Sequence, residues 1–197
     1  MIYLEVVSSN YKKHVNKNPL MRLVLLNFLK DVKRLIDPLG INNILDVGCG
    51  EGFVINFLGK KCVTGFDVSK DVLDIAKMRN PTFDFCRGDI YNLPVSESSF
   101  GIVMVLEVLE HLKEPEKALN EIKRISKKYC IFSVPNEPYF KIMNMLRCKN
   151  ISRFGNDIEH VQNWGADEFV TLLKKHFEVV NVKKPFPWVL VLCKIKE

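Results

Sequence analysis

The feature that most limits the fold of this chain is an alternation of short apolar runs with amphipathic helical segments. The apolar runs stand at 42–47, 62–67, 82–86, 100–106 and 129–135. Segments with apolar residues at helical spacing surround and separate them, at 18–39, 51–58, 69–79 and 115–128. This order predicts a parallel sheet with helices on both faces and right-handed crossovers.

The end of the chain departs from this alternation. A helical segment at 165–177 is followed by two strand-like runs, 178–184 and 188–196, which only the turn "PFP" joins. Because a helical crossover needs a dozen or more residues, these two strands must be antiparallel. The sequence therefore predicts a three-layer, doubly wound α/β fold, with a mostly parallel seven-stranded sheet and one antiparallel strand near the C-terminus.

Composition indicates one ordinary globular domain over residues 1–197, with 47% hydrophobic and 26% charged residues. The net charge of +6 is spread along the chain in basic pairs, which does not favour a nucleic-acid partner. The six cysteines form no C-x-x-C pair, so we expect free thiols and no metal site. We find neither a signal peptide nor an apolar run long enough to span a bilayer, and we expect a cytoplasmic protein.

Three glycines, Gly48, Gly50 and Gly52, follow the first strand in the stretch "ILDVGCGEG". They allow the backbone to turn sharply and approach a ligand without Cβ atoms in the way. A dinucleotide site uses the spacing G-x-G-x-x-G, whereas the third glycine comes one residue early here. Asp46 would also repel a pyrophosphate and attract an ammonium group. A nicotinamide-dependent dehydrogenase is therefore the weakest of the alternatives.

Acidic residues stand at the ends of three successive predicted strands: Asp46, Asp67 and Asp89. In open α/β sheets, ligands bind beyond the carboxyl ends of the strands, where the strand order reverses. The first acid suits an ammonium group, the second a ribose diol and the third an adenine amino group. S-adenosyl-L-methionine carries all three groups, and we expect it as the cofactor, with S-adenosyl-L-homocysteine as the product.

These motifs resemble those of the class I S-adenosylmethionine-dependent methyltransferases, of the small-molecule type related to quinone and lipid methyltransferases. The resemblance covers about residues 41–136 and lies in "ILDVGCGEG", "GFDVSKDVLDIAK", "GDIYNLPVSESSFGIVMVLEVLEHL" and "CIFSVPN". A weaker match follows in "EHVQNWGADEFVTLLKKHFEVVNV". The resemblance implies a Rossmann-like methyltransferase fold. It also divides the domain into an N-terminal helical cap (1–40), a cofactor-binding core (41–135), a substrate-lid segment (136–165) and a closing helix with its strand pair (166–197).

For the methionine end of the cofactor, the resemblance implies contacts from the glycine turn. Asp46, Gly48, Cys49 and Gly50 would surround the methionine part. Leu106, at the end of the fourth strand, would offer its backbone near the amino group, and the stretch from Glu107 to His111 would form the floor of the methyl-transfer site.

For the nucleoside end, the resemblance implies that Asp67 holds the ribose and that Val68 flanks the adenine. Asp89 would bind the adenine amino group, and Ile90 would cover the ring.

Two histidines are candidates for a general base that takes a proton from the acceptor, because imidazole titrates near neutral pH. His111 lies just past the fourth strand in "EVLEHL", and His160 lies in the loop-like stretch "DIEHVQNW". A structural, hydrogen-bonded role remains the alternative for each. Tyr11 and Arg22, near the N-terminus, are further possible substrate contacts.

The acceptor itself is only coarsely constrained. Methyltransferases of this fold that modify amide or adenine nitrogens carry N-P-P-Y or D-P-P-Y after the fourth strand, where this chain reads "LEVLEH". We therefore favour O- or C-methylation of a small molecule. The methionines, aromatics and basic residues of the lid segment suit an apolar or anionic acceptor. A non-catalytic cofactor-binding subunit and an RNA methyltransferase remain open, and a homodimer is possible.

Overall fold

The computed structural model of the chain describes residues 18–59, 62–146, 154–155, 157 and 159–196. The strands are β1 (Ile44–Val47), β2 (Val63–Asp67), β3 (Asp84–Arg87), β4 (Phe100–Leu106), β5 (Ser126–Pro135), β6 (Phe177–Lys183) and β7 (Trp188–Ile195). The α-helices are α1 (Pro19–Ile36), α2 (Phe53–Leu58), α3 (Lys70–Arg79), α4 (Pro115–Ile125), α5 (Tyr139–Leu146) and α6 (Ala166–His176). Two short 3-10 helices span Asp37–Leu39 and Leu109–His111.

All seven strands form one sheet in the order β3-β2-β1-β4-β5-β7-β6. Strands β1 to β5 pair in parallel, and β7 is antiparallel to both of its neighbours. The predicted α/β class and the antiparallel strand near the C-terminus are confirmed. The chain runs outward from β1 to β3 and then returns to place β4 on the other side of β1, so the strand order reverses between β1 and β4. A ligand crevice is expected at this point.

Both faces of the sheet are covered, as the continuous apolar runs predicted. In β4, Val103 and Val105 point to one face and pack in a core cluster with α4 and α6. Ile102, Met104 and Leu106 point to the other face, where α1, α2 and α3 cover them. This burial on both sides explains why the strand shows no polar alternation.

Helix α4 is shorter than its amphipathic pattern predicted. It ends at Ile125, and β5 begins at once with Ser126, which has an extended backbone. The Ser126 hydroxyl donates to the carbonyl of Tyr129 at 2.9 Å. This local hydrogen bond competes with another helical turn, as serine side chains often do.

The first helix packs against the sheet. The side chain of Asn18 caps α1 by accepting from the amide of Leu20 at 2.9 Å, and the ring of Phe28 lies 5.0 Å from that of Trp188. Arg22 lies exposed on this helix. Tyr11 falls outside the described residues.

Among the residues that the structure describes, five cysteines are free. Cys49, Cys130 and Cys193 are buried, while Cys62 and Cys86 are exposed. In the same part of the chain, no helix combines the length and the apolar character that crossing a bilayer requires.

Candidate active site

The glycine turn is fixed to the end of β2. The amides of Gly48 and Cys49 donate to the carbonyl of Phe66 at 2.7 and 3.0 Å. Gly48, Gly50 and Gly52 have φ angles of 74°, 54° and 73°, in the left-handed region that glycine adopts without a steric penalty. The turn after β1 therefore has a defined shape that other residues would strain.

Gly48 also allows the segment after β4 to approach the turn. A Cβ atom at Gly48 would lie 2.3 Å from Cγ2 of Val108, far inside van der Waals contact. Val108 immediately precedes the 3-10 helix Leu109–His111. Because Gly48 has no Cβ atom, that helix can lie next to the glycine turn, beyond the carboxyl ends of the neighbouring strands β1 and β4.

Asp67 connects the turn to the start of α3. Its Oδ2 accepts from the amide of Gly50 at 3.0 Å, and its Oδ1 accepts from the amide of Ser69 at 2.9 Å. Ser69 is the N-cap of α3. Each carboxylate oxygen has a second lone pair, so Asp67 can still accept hydrogen bonds from a ligand diol.

Asp46 is buried at the centre of this arrangement, with 2% of its surface exposed. Its Oδ2 accepts no hydrogen bond from any residue that the structure describes. Burial, together with the nearby charge of Asp67, raises the pKa of Asp46 to about 7. A buried carboxyl group of this kind ionises at a cost, and a cationic ligand would lower that cost.

The third acid, Asp89, is exposed just beyond β3, and its Oδ1 accepts from the amide of Tyr91 at 3.0 Å. Val68, beyond β2, is 62% exposed and available to a ligand. Ile90 is buried in the core cluster that contains Phe66. The three predicted acids lie within β1, at the end of β2 and just beyond β3. Since these strands are adjacent and parallel, the acids lie toward one edge of the sheet, where the carboxyl ends of the strands meet.

Two other predicted cofactor residues have side chains that point into the core. Cys49 and Leu106 are both buried in the cluster on the α1 side of the sheet. Burial raises the pKa of the Cys49 thiol far above its ordinary value, so this residue stays protonated. Both residues can therefore offer a ligand mainly their backbone atoms.

Two further acidic residues lie in this region. The sequence analysis placed Glu107 in the floor of the methyl-transfer site, but it did not single out Glu51. Glu51 lies within the glycine turn and is fully buried. Glu107 directly follows β4 with a φ angle of 58°, and its carboxylate accepts hydrogen bonds from the Ser133 hydroxyl and the Trp188 indole. A charged residue inside a glycine turn is the signal that could have identified Glu51.

The structure brings the two predicted histidines together. The rings of His111 and His160 lie 5.1 Å apart in an edge-on arrangement. The amides of Val161 and Gln162 both donate to the carbonyl of Glu110 at 2.9 Å, which fixes the loop that carries His160 to the 3-10 helix that carries His111. Nδ1 of His111 also forms a hydrogen bond with the carbonyl of Glu159, at 3.0 Å.

A third polar side chain joins this pair. Glu110 is only 1% exposed, and its carboxylate and one ring nitrogen from each of His111 and His160 lie within 4.8 Å of one another. Sequence reasoning missed this cluster because His160 is distant along the chain from the other two residues. The cysteine and histidine spacings, on which the prediction of no metal site rested, could not reveal it.

Known proteins resemble this chain in sequence over its central part and in fold over most of its length. Residues 45–134 match the family model described as "Methyltransferase domain". The demethylmenaquinone methyltransferase of Thermotoga maritima is 31% identical over 103 residues, which are 50% of this chain and 45% of that protein. The ubiquinone biosynthesis O-methyltransferase of Coxiella burnetii is 30% identical over 105 residues, 50% of this chain and 44% of that protein. This chain thus covers less than half the length of these relatives.

Solved structures of similar fold cover most of the chain. A methyltransferase from Thermotoga maritima, described as a "possible histamine N-methyltransferase", superposes with a TM-score of 0.71 at 23% identity, covering 89% of this chain and 90% of that one. The magnesium protoporphyrin IX methyltransferase of Synechocystis has a TM-score of 0.69 at 14% identity, with 91% and 88% covered. At these identities the likeness concerns the fold. The chain is thus similar to a methyltransferase domain over residues 45–134, and it shares the fold of these methyltransferases over most of its length.

Proposed function

We propose that this protein transfers a methyl group from S-adenosyl-L-methionine to a small-molecule acceptor. The observation that carries the proposal is the set of Asp46, Asp67 and Asp89, which lie in or just beyond three adjacent parallel strands, toward the edge where the glycine turn lies. A ligand with an ammonium group, a ribose diol and an adenine amine satisfies all three.

The methionine end of the cofactor would lie on the glycine turn, between β1 and β4. Asp46 supplies negative charge below the turn, and Gly48 and Gly50 expose their backbone to the ligand. Cys49 contributes its backbone, and Leu106 does the same from the end of β4. The buried carboxyl of Asp46 then gains the cationic partner that it lacks among the described residues.

The nucleoside end would extend along the edges of β2 and β3. Asp67 holds the ribose while keeping its hydrogen bonds to the turn. Asp89 accepts from the adenine amino group, and the exposed Val68 and the edge of Ile90 flank the ring.

Methyl transfer from a sulfonium needs alignment of the acceptor rather than activation of the methyl group, and the enzyme supplies this alignment. Because Val108 approaches Gly48 and precedes the 3-10 helix that carries His111, the histidine pair would lie next to the methionine end. In the neutral form of His111, the carbonyl of Glu159 holds the proton on Nδ1, because a carbonyl can only accept. Nε2 is then the atom that can act on an acceptor hydroxyl.

An apolar acceptor with a hydroxyl or carbon nucleophile suits this surface. The ring of Phe140 on α5 lies 5.4 Å from that of His160, and the same helix exposes Tyr139, Ile142 and Met145. Relatives named demethylmenaquinone methyltransferase and ubiquinone biosynthesis O-methyltransferase support a quinone-type acceptor. O- or C-methylation of such an acceptor is therefore the favoured reaction. A cytoplasmic location and a homodimer stay predictions from the sequence.

Calorimetric titration with S-adenosylhomocysteine tests the cofactor site. We expect one binding site per chain and a higher melting temperature with the ligand. No heat and no thermal shift at millimolar ligand would refute the proposal. A methyl acceptor panel of hydroxylated aromatic compounds then separates the alternatives, since binding without any turnover would favour a non-catalytic subunit.

Asp67→Asn should weaken S-adenosylhomocysteine binding by about ten- to a hundredfold in the same titration. The variant loses the charge that strengthens hydrogen bonds from the ribose, and bonds to charged groups contribute about 1.5–3 kcal/mol. The matched control is Asp74→Asn, which removes an exposed carboxylate from α3. Equal affinities for the two variants would rule out the role of Asp67.

A further inference from the structure

We propose that Glu110, His111 and His160 bind a divalent first-row transition metal ion, such as Mn²⁺ or Zn²⁺, that holds the acceptor oxygen. The catalytic part of this inference rests on the proposed methyltransferase function. Metal binding does not, and it can be measured in the absence of any methyl donor.

The three side chains are close enough to share an ion. Their candidate ligand atoms lie within 4.8 Å of one another. Two metal–ligand bonds of about 2.1 Å place ligand atoms at most about 4.2 Å apart across the ion. Small rotations of the side chains close the difference, and His160, on a loop, is the residue that can supply most of the movement.

The hydrogen bond of His111 prepares it as a ligand. In the neutral ring, the carbonyl of Glu159 holds the proton on Nδ1, which leaves the lone pair on Nε2. Histidines that bind metals characteristically donate their other ring N–H to a backbone carbonyl or carboxylate in this way. A histidine that merely packs beside another ring does not need this orientation.

The backbone connects the two parts of the cluster independently of the side chains. The carbonyl of Glu110 accepts from the amides of Val161 and Gln162, next to His160. The Gln162 side chain also donates to the carbonyl of Leu112, at 3.2 Å. Both ligand-bearing segments are thereby held in one arrangement before any ion arrives, as a preorganised site requires.

The donor set indicates the class of ion. Two imidazoles and one carboxylate suit Mn²⁺, Fe²⁺, Co²⁺ or Zn²⁺, whereas Mg²⁺ and Ca²⁺ prefer oxygen ligands throughout. Three protein ligands also leave coordination positions open, which is the pattern of catalytic rather than structural sites. The carboxylate of Glu110, which is almost fully buried, would supply the negative charge that the dication needs.

An open coordination position on the ion, beside the methionine end of the cofactor, would give the ion a role in the reaction. It would bind the acceptor hydroxyl and lower the pKa of that hydroxyl, as metal ions do for bound water. The hydroxyl proton passes to solvent water, the new O–CH₃ bond forms as the S–CH₃ bond breaks, and neutral S-adenosylhomocysteine leaves. When the ion is bound, the histidine nitrogens hold the metal, and solvent water takes the proton in place of Nε2 of His111.

Titration of Mn²⁺ into protein that has been dialysed against EDTA tests the site. Calorimetry and the loss of the electron paramagnetic resonance signal of free Mn²⁺ measure the binding. We expect one ion per chain, and at least tenfold weaker binding in His160→Ala. The control is His176→Ala, which removes a histidine that instead bonds to Asn120 between α6 and α4. It should bind Mn²⁺ like the wild type. A wild-type protein that binds neither Mn²⁺ nor Zn²⁺, or equal losses in the two variants, would overturn the inference.

Parallel titrations with S-adenosylhomocysteine separate this inference from the proposed function. His160→Ala should bind S-adenosylhomocysteine normally, which also shows that the variant is folded. Cofactor binding without metal binding would refute only the metal site, whereas metal binding without cofactor binding would refute only the methyltransferase. If both bind, EDTA should lower methyl transfer to a hydroxyl acceptor at least tenfold, and Mn²⁺ should restore it.

Discussion

Asp46→Asn should make the ligand-free protein more stable at pH 8 and weaken the binding of S-adenosylhomocysteine at the same pH. The pKa of Asp46 rises from its ordinary 3.8 to about 7, so the folded protein keeps a proton in this range that the unfolded chain has lost. The free energy of unfolding therefore falls as the pH rises from 3.8 to 7. At 1.36 kcal/mol per pH unit, the cost above pH 7 is on the order of 4 kcal/mol, and asparagine avoids it.

Urea unfolding at pH 5 and pH 8 measures this effect. The stability advantage of the variant should be about 4 kcal/mol at pH 8 and only about 1.6 kcal/mol at pH 5, where Asp46 is protonated in the folded protein but mostly ionised in the unfolded chain. The matched control Asp74→Asn, at an exposed site on α3, should change neither value appreciably. A variant that is less stable than the wild type at pH 8 would contradict the prediction.

The same carboxyl group should make cofactor binding depend on pH. An ammonium ligand favours the ionised form of Asp46, so binding requires release of its proton below pH 7. The affinity of the wild type for S-adenosylhomocysteine should fall by up to about tenfold per pH unit below pH 7. Asp46→Asn should bind at least tenfold more weakly at pH 8 and lose this dependence. An unchanged pH profile in the variant would assign the dependence to another group.

Asp46 is expected to lower the stability of the protein and to strengthen ligand binding. These opposite effects explain why the sequence could identify Asp46 as a candidate site residue. An acid inside a buried strand such as β1 lowers the stability of the fold, because the core favours apolar residues. Its presence there indicates a role other than stability. The apolar runs around it similarly revealed the sheet, because strands covered on both faces leave continuous hydrophobic stretches. Asp67 and Asp89 were predictable for the related reason that parallel strands end at a common edge.

Other parts of the site depend on the path of the backbone, which no periodicity in the sequence reports. Glu110 and His160 lie close together because the loop before α6 forms backbone hydrogen bonds with the 3-10 helix Leu109–His111. The hydrogen bond from the Gly50 amide to Asp67 depends likewise on the shape of the glycine turn. Glycine spacing indicated that a turn was present, but not which groups it would bring together.

Gly48→Ala should weaken S-adenosylhomocysteine binding at least tenfold and lower the stability of the protein. The residue has a φ of 74°, and its new Cβ would lie 2.3 Å from Cγ2 of Val108. The backbone conformation alone costs about 1–2 kcal/mol for a residue other than glycine. The steric overlap adds about 1–3 kcal/mol and pushes the glycine turn away from the segment after β4. Calorimetry and thermal unfolding measure the two effects.

Gly59→Ala separates these two causes. Gly59 has a φ of 62°, but a Cβ there would meet no atom within 4 Å, so this control retains the backbone strain without the overlap. It should lose about 1–2 kcal/mol of stability and bind the ligand normally. Val108→Ala removes both methyl groups and leaves the Val108 Cβ at 3.5 Å, an ordinary contact. The double variant Gly48→Ala/Val108→Ala should therefore recover most of the lost binding, with a coupling that exceeds additivity. Recovery would show that ligand binding depends on the close approach of Val108 to the glycine turn, whereas simple additivity would show that the turn acts alone.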